Sequence, residues 1–102
     1  MAIIKVNKDS FENEVMNSEK TVLLDFYADW CGPCRMLSPV LEKIAAEKDD
    51  VKICKINVDE NEELAVSFGV MSIPALFVIK NGKVVEQALG ALPEAKILDM
   101  LK

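Results

Sequence analysis

The sequence contains no histidine, and this absence excludes more chemistry than any other feature of its composition. No imidazole is present to act as general base, proton shuttle or metal ligand. Serine–histidine and cysteine–histidine hydrolases are therefore ruled out in their ordinary form, and proton transfer must fall to a carboxylate, a lysine, a thiol or water. Basic residues are in the minority, with 12 Lys and Arg against 17 Asp and Glu and a net charge of −5. That balance repels phosphate backbones and anionic bilayers, so neither nucleic-acid nor membrane binding is expected. Long apolar runs are missing. The longest, Ile73 to Ile79, falls far short of a bilayer span, and the first eight residues have no basic leader followed by an apolar core as a signal peptide would. A reducing, cytoplasmic compartment is the expectation.

Repeats, low-complexity tracts and Pro/Gly/Ser linkers are also missing. With 102 residues, 51% of them hydrophobic, the chain reads as one domain over 1–102. It is long enough to bury a core without disulfide staples or a structural metal. Three cysteines, an odd count with two of them three residues apart, match a secreted disulfide framework poorly.

Hydrophobic patterning predicts strands over residues 3–6, 21–28, 51–58, 76–80 and 83–89. The second and third are nearly continuous apolar runs, as in strands covered on both faces. Asp9-Ser10-Phe11-Glu12 reads as a capping box in which Asp9 caps and Glu12 reaches back, opening a helix to about Met16. Leu37, Val40, Leu41, Ile44 and Ala45 recur at helical spacing from Cys34 to about Lys48, with Pro39 expected to bend that helix. A short helix follows over 61–68. Asn81-Gly82 signals a hairpin, and Pro93 opens a last helix that buries Ile97, Leu98 and Leu101. The class is α/β: a parallel sheet core, extended by an antiparallel hairpin into a mixed five-stranded sheet, with helices on both faces.

The chemistry is concentrated where Asp25-Phe26-Tyr27-Ala28-Asp29-Trp30 runs off a buried strand into Cys31-Gly32-Pro33-Cys34. Cysteines at i and i+3 across a first helical turn can close a small disulfide ring. Cys31 would meet unpaired backbone N–H groups and the positive end of the helix dipole, both of which favour a thiolate. Gly32 lets the chain turn and a partner approach, and Pro33 fixes φ where its missing N–H costs nothing. A zinc site would need four ligands, and only one further cysteine, Cys54, is available; it reads as a small buried hydrophobe. Asp25 is an acid in an otherwise apolar strand. Isolated burial would raise its pKa, as in a general acid or base; a surface-facing or ion-paired carboxylate is the plainer reading.

The segment from Asp25 to Cys34, with Lys55-Ile56-Asn57-Val58-Asp59-Glu60-Asn61, Ile73-Pro74, Lys80-Asn81-Gly82 and Gly90-Ala91-Leu92, resembles the thioredoxin family along essentially the whole chain. The resemblance implies the thioredoxin fold and a general protein-disulfide reductase. Cys31 would be the exposed nucleophile, forming a mixed disulfide with a client protein, and the more buried Cys34 would resolve it. The redox-active Cys31–Cys34 pair would replace any bound cofactor. A thioredoxin reductase drawing on NADPH would return the disulfide to dithiol. In the family such a motif holds its first thiol near 7, about half ionised at neutral pH against about 3% for a free thiol, a preference of about 2 kcal/mol.

By the same resemblance, Asp25 helps deprotonate Cys34, with Lys55 as its neighbour. Pro74 would follow a cis bond, leaving the Ile73 backbone free to pair with an extended client. Trp30, Val58, Ile73, Gly90 and Ala91 would line a shallow apolar surface around the cysteines, and the chain would act as a monomer. Tyr27 stands where many members carry tryptophan, Ala75 where threonine is common, and Met71-Ser72 precedes the Ile73-Pro74 pair. Two other classes share these features. A non-catalytic binding module of the same fold would usually lack one cysteine of the pair. An oxidase or isomerase of an oxidising compartment is disfavoured by the Gly-Pro dipeptide.

Overall fold

Alternation along the central strands decides where every later feature sits. In the computed structural model, which describes residues 3–102, β2 (Thr21–Tyr27) sends Val22, Leu24 and Phe26 to one face and Leu23 and Asp25 to the other. It pairs in parallel with β3 (Val51–Asn57) and antiparallel with β4 (Ala75–Lys80). The short β1 (Ile4–Lys5) flanks β3 in parallel, and β5 (Lys83–Leu89) closes the far edge antiparallel to β4. The resulting order is β1-β3-β2-β4-β5, the mixed five-stranded sheet expected from the patterning.

Each face carries its own core. On one side a π-helical segment (Glu12–Met16) and α2 (Glu62–Ser67) cover Val22, Leu24, Phe26, Cys54, Ile56, Phe77 and Ile79. All four phenylalanines of the chain meet there: Phe11, Phe26, Phe68 and Phe77 pack with ring centroids 5.1–5.7 Å apart and mostly edge to face. On the other side α1 (Gly32–Glu47) and α3 (Glu94–Met100) bury Leu23, Leu37, Leu41, Ile44, Ile53, Leu76, Val78 and Ile97. Asp25 lies on this α1 side, the side of the Cys31–Cys34 pair.

Several boundaries and one cap differ from the sequence reading. Asp9 is not the cap of the first helix. The Asn7 side chain accepts from the backbone N–H groups of Asp9 (2.9 Å) and Ser10 (3.0 Å), so the turn begins two residues earlier. Glu12 makes no return contact to the cap; its carbonyl instead accepts from Asn17 N–H, five residues on, giving a π-helical segment. Pro39 lies inside α1 as expected, and the helix continues past it to Glu47. Leu98 is only half-buried, unlike Ile97 and Leu101. At the β4–β5 turn, Asn81 and Gly82 both take positive φ (53° and 76°), as a two-residue hairpin of this twist requires. β5 carries Val85 as an extra residue between Val84 and Glu86, a bulge that bends the exposed edge.

Candidate active site

The site forms where β2 ends and α1 begins, outside the carboxyl ends of the parallel pair, the position at which open α/β sheets place their chemistry. Cys31 N–H donates to the Ala28 carbonyl (3.2 Å), turning the chain through Asp29 and Trp30. Cys31 is the N-cap of α1 and Cys34 its third residue. The Cys34 N–H donates to Cys31 Sγ at 3.2 Å, so the sulfur takes the place of the usual capping oxygen at the positive end of the helix. The two cysteines are joined as a disulfide, with Cα atoms 5.3 Å apart.

Exposure does not separate them. Cys31 and Cys34 are each 4% exposed, against the expectation of an exposed first and a more buried second cysteine. Both sink into a small apolar cluster of Ala28, Tyr27, Val58 and Ile73, and the Ile73 carbonyl oxygen approaches Cys31 Sγ to 3.9 Å. A disulfide sulfur has no proton to donate, so this approach is a packing contact in the oxidised state. What distinguishes the cysteines is the helix: only Cys31 Sγ accepts the otherwise unpaired N–H of the first turn.

Asp25 sits on β2 directly beside Lys55 on β3 in the parallel register. It is 1% exposed, and its Oδ1 has no hydrogen-bond partner among the described residues. Burial raises its pKa from 3.8 to about 7, and the positive charge of Lys55 opposes that rise without overcoming it. Lys55 does not form an ion pair with Asp25. Its Nζ lies 4.4 Å from the centroid of the Tyr27 ring instead.

The opposite wall comes from the loop before β4. The Ile73–Pro74 bond is cis, and Pro74 is buried behind the half-exposed Ile73. Gly90, with φ of 90°, donates its N–H to the Pro74 carbonyl at 2.8 Å, which ties the end of β5 to this loop. Ala91 is exposed next to it. Gly32 and Pro33 are exposed at the helix start. Gly32 is not among the positive-φ residues, and a Cβ there would meet no other atom of the chain. The turn therefore does not demand glycine at this position.

Trp30 is 68% exposed, and its indole N–H donates to Asp59 Oδ2 at 2.9 Å. It forms one side of an apolar groove of about 380 Å³ with Val58, Ala65, Val70, Met71 and Ile73, beside the disulfide. Met71 is 97% exposed at its rim. Sequence reasoning placed Trp30, Val58 and Ile73 on this surface but missed Ala65, Val70 and Met71, which come from α2 and the loop after it. It also missed Asp59, which no local pattern links to a tryptophan 29 residues earlier. Cys54 is wholly buried on the far face of the sheet, and burial pushes its thiol up to about 11.

Comparison with known proteins agrees with this geometry. The thioredoxin family model matches residues 2–102. A thioredoxin of Bacillus subtilis is 50% identical over 102 residues, covering 99% of this chain and 96% of its own. One of Haemophilus influenzae is 47% identical over 100 residues, covering 97% and 94%. A chloroplastic M-type thioredoxin of Chlamydomonas reinhardtii is 46% identical over 98 residues, covering 95% of this chain and 70% of its own. With a disulfide at the first turn of α1, a buried carboxylate on the adjoining strand and similarity along its whole length, the chain belongs to the thioredoxin family.

Proposed function

We propose that Cys31 is the attacking thiolate and Cys34 the resolving thiol of this protein-disulfide reductase. The observation that carries the assignment is the Cys34 N–H donated to Cys31 Sγ at the N-terminus of α1, an arrangement that favours negative charge on that sulfur alone. In the dithiol state the Cys31 thiolate attacks one sulfur of a client disulfide. A Cys31–client bond forms, the client bond breaks, and the departing client thiolate takes a proton from water. Cys34 then gives its proton to Asp25 and attacks Cys31 Sγ. This step forms the Cys31–Cys34 disulfide and releases the second client thiolate, which is protonated in turn. Two electrons pass to the client, and two thiols become one disulfide.

Asp25 suits the proton transfer because a carboxyl near 7 both accepts and returns a proton at neutral pH. Gly32, Pro33, Trp30, Val58, Ile73, Pro74, Gly90 and Ala91 would receive the client. No backbone hydrogen bond engages Ile73 among the described residues, so an extended client strand could pair there. An NADPH-linked thioredoxin reductase would restore the dithiol. We read 1–102 as one domain acting as a monomer in the cytoplasm; among the described residues no helix is long and apolar enough to cross a membrane.

The test is insulin reduction with NADPH and a thioredoxin reductase. The native chain should turn over, Cys31→Ser should be inactive, and Cys34→Ser should accumulate as a mixed disulfide with insulin. A Cys31→Ser variant as active as the native chain would reverse the assignment.

A further inference from the structure

Tyr27 touches both halves of the site. From the end of β2 it packs against the Cys31–Cys34 cluster, and its ring also lies beneath the Lys55 ammonium at 4.4 Å. Asp25, Tyr27 and Lys55 share one face of the parallel pair, because Asp25 and Tyr27 are two apart on β2 and Lys55 stands opposite Asp25 on β3. Lys55 is only half-buried and its stem is flexible, so an ammonium without a nearby partner would swing into water. The Tyr27 ring supplies that partner. Asn57 stands opposite Tyr27 in the parallel register and is itself fixed, its Oδ1 accepting the Asp59 N–H at 2.9 Å.

We propose that Tyr27 is a positioning residue for the disulfide exchange: its ring keeps the Lys55 ammonium on the Asp25 side of the sheet and thereby sets how readily Asp25 exchanges a proton with Cys34. The inference rests on reading Asp25 as the proton acceptor. Few other groups compete for control of Asp25. β4 sets the apolar Leu76 opposite it, the buried face of α1 carries Cys34 and Leu37, and Lys55 is the charge that acts on it. Asp29 and Glu60 act on the Tyr27 hydroxyl rather than on Asp25, and both are exposed to water.

The experiment follows the Asp25 carboxyl by ¹³C NMR across pH in the oxidised protein, in native, Tyr27→Leu, Tyr27→Phe, Tyr27→Trp and Lys55→Met forms and in the Tyr27→Leu/Lys55→Met double variant. Removing the ring should move the Asp25 midpoint upward by about half a pH unit, about threefold in proton affinity. Tyr27→Phe and Tyr27→Trp should hold the native value, because each keeps an aromatic face under the ammonium. In the Lys55→Met background, Tyr27→Leu should add nothing. An unchanged midpoint in Tyr27→Leu, or the same upward shift with Lys55 already removed, would overturn the proposal. The pH profile of insulin reduction should shift in parallel with the midpoint. Full native activity and an unaltered profile in Asp25→Asn would instead bring down the role assigned to Asp25, and with it the catalytic part of this proposal, whatever the titration shows.

Discussion

Replacing Asp25 with asparagine should stabilise the oxidised protein by an amount that grows with pH. The folded carboxyl has its pKa raised from 3.8 to about 7, chiefly by burial. Between those two values the folded state binds more protons than the unfolded chain. The favourable contribution of the protonated carboxyl is therefore complete below about pH 4 and is lost as pH rises through 7. At roughly 1.4 kcal/mol per factor of ten, the native protein carries a penalty of about 4 kcal/mol once Asp25 is ionised. About 2.5–3 kcal/mol of that develops between pH 5 and pH 9. Asparagine keeps the shape and does not ionise, so its advantage should widen by that amount over the same range. Urea unfolding of the oxidised protein, followed by far-UV circular dichroism at intervals from pH 5 to 9, would read this as a midpoint difference growing by about 1–2 M. A difference constant across the range would refute the argument. It would mean that the buried carboxyl has an ordinary proton affinity, and that water or Lys55 solvates its charge.

Three further outcomes follow from single contacts. Asp59→Ala removes the acceptor of the Trp30 indole N–H; insulin KM should rise about two- to fivefold with kcat little changed, and fluorescence of the chain's single tryptophan would report the loosened ring. Cys54, wholly buried with its thiol pushed up to about 11, should resist iodoacetamide in the native protein and react only on unfolding, as peptide mass analysis would show. Gly82→Ala places a side chain at φ of 76° with its Cβ 3.3 Å from the Met16 carbonyl oxygen, and should lower stability by about 1–2 kcal/mol in the same urea assay.

Much of the architecture was legible because it is written in local pattern. Two-faced apolar strands, helical spacing after Cys34 and the Asn81-Gly82 turn each follow from the conformations that a few neighbouring residues permit. The misread cap shows the limit of that logic. Asn7, Asp9 and Ser10 can all cap a helix, yet the path of the backbone puts Phe11 at the helix start with no side-chain cap, and the Asn7 side chain closes the turn before it. Exposure of the cysteines was misjudged for a related reason, since Tyr27, Val58 and Ile73, which cover them, come from three separate parts of the chain.

By itself the sequence determined that a disulfide could close at Cys31 and Cys34, that this would occur at a helix start, and that histidine had no part in it, because these depend on residue type and spacing of a few positions. The tertiary structure decided which groups lie beside that pair. Register across the parallel strands put Lys55 next to Asp25, the cis-proline loop brought Ile73 over Cys31, and the turn after β3 carried Asp59 to Trp30. Each of these joins residues about thirty or more positions apart. Their partnership is fixed by how sheet and helices pack, which no short window of sequence contains.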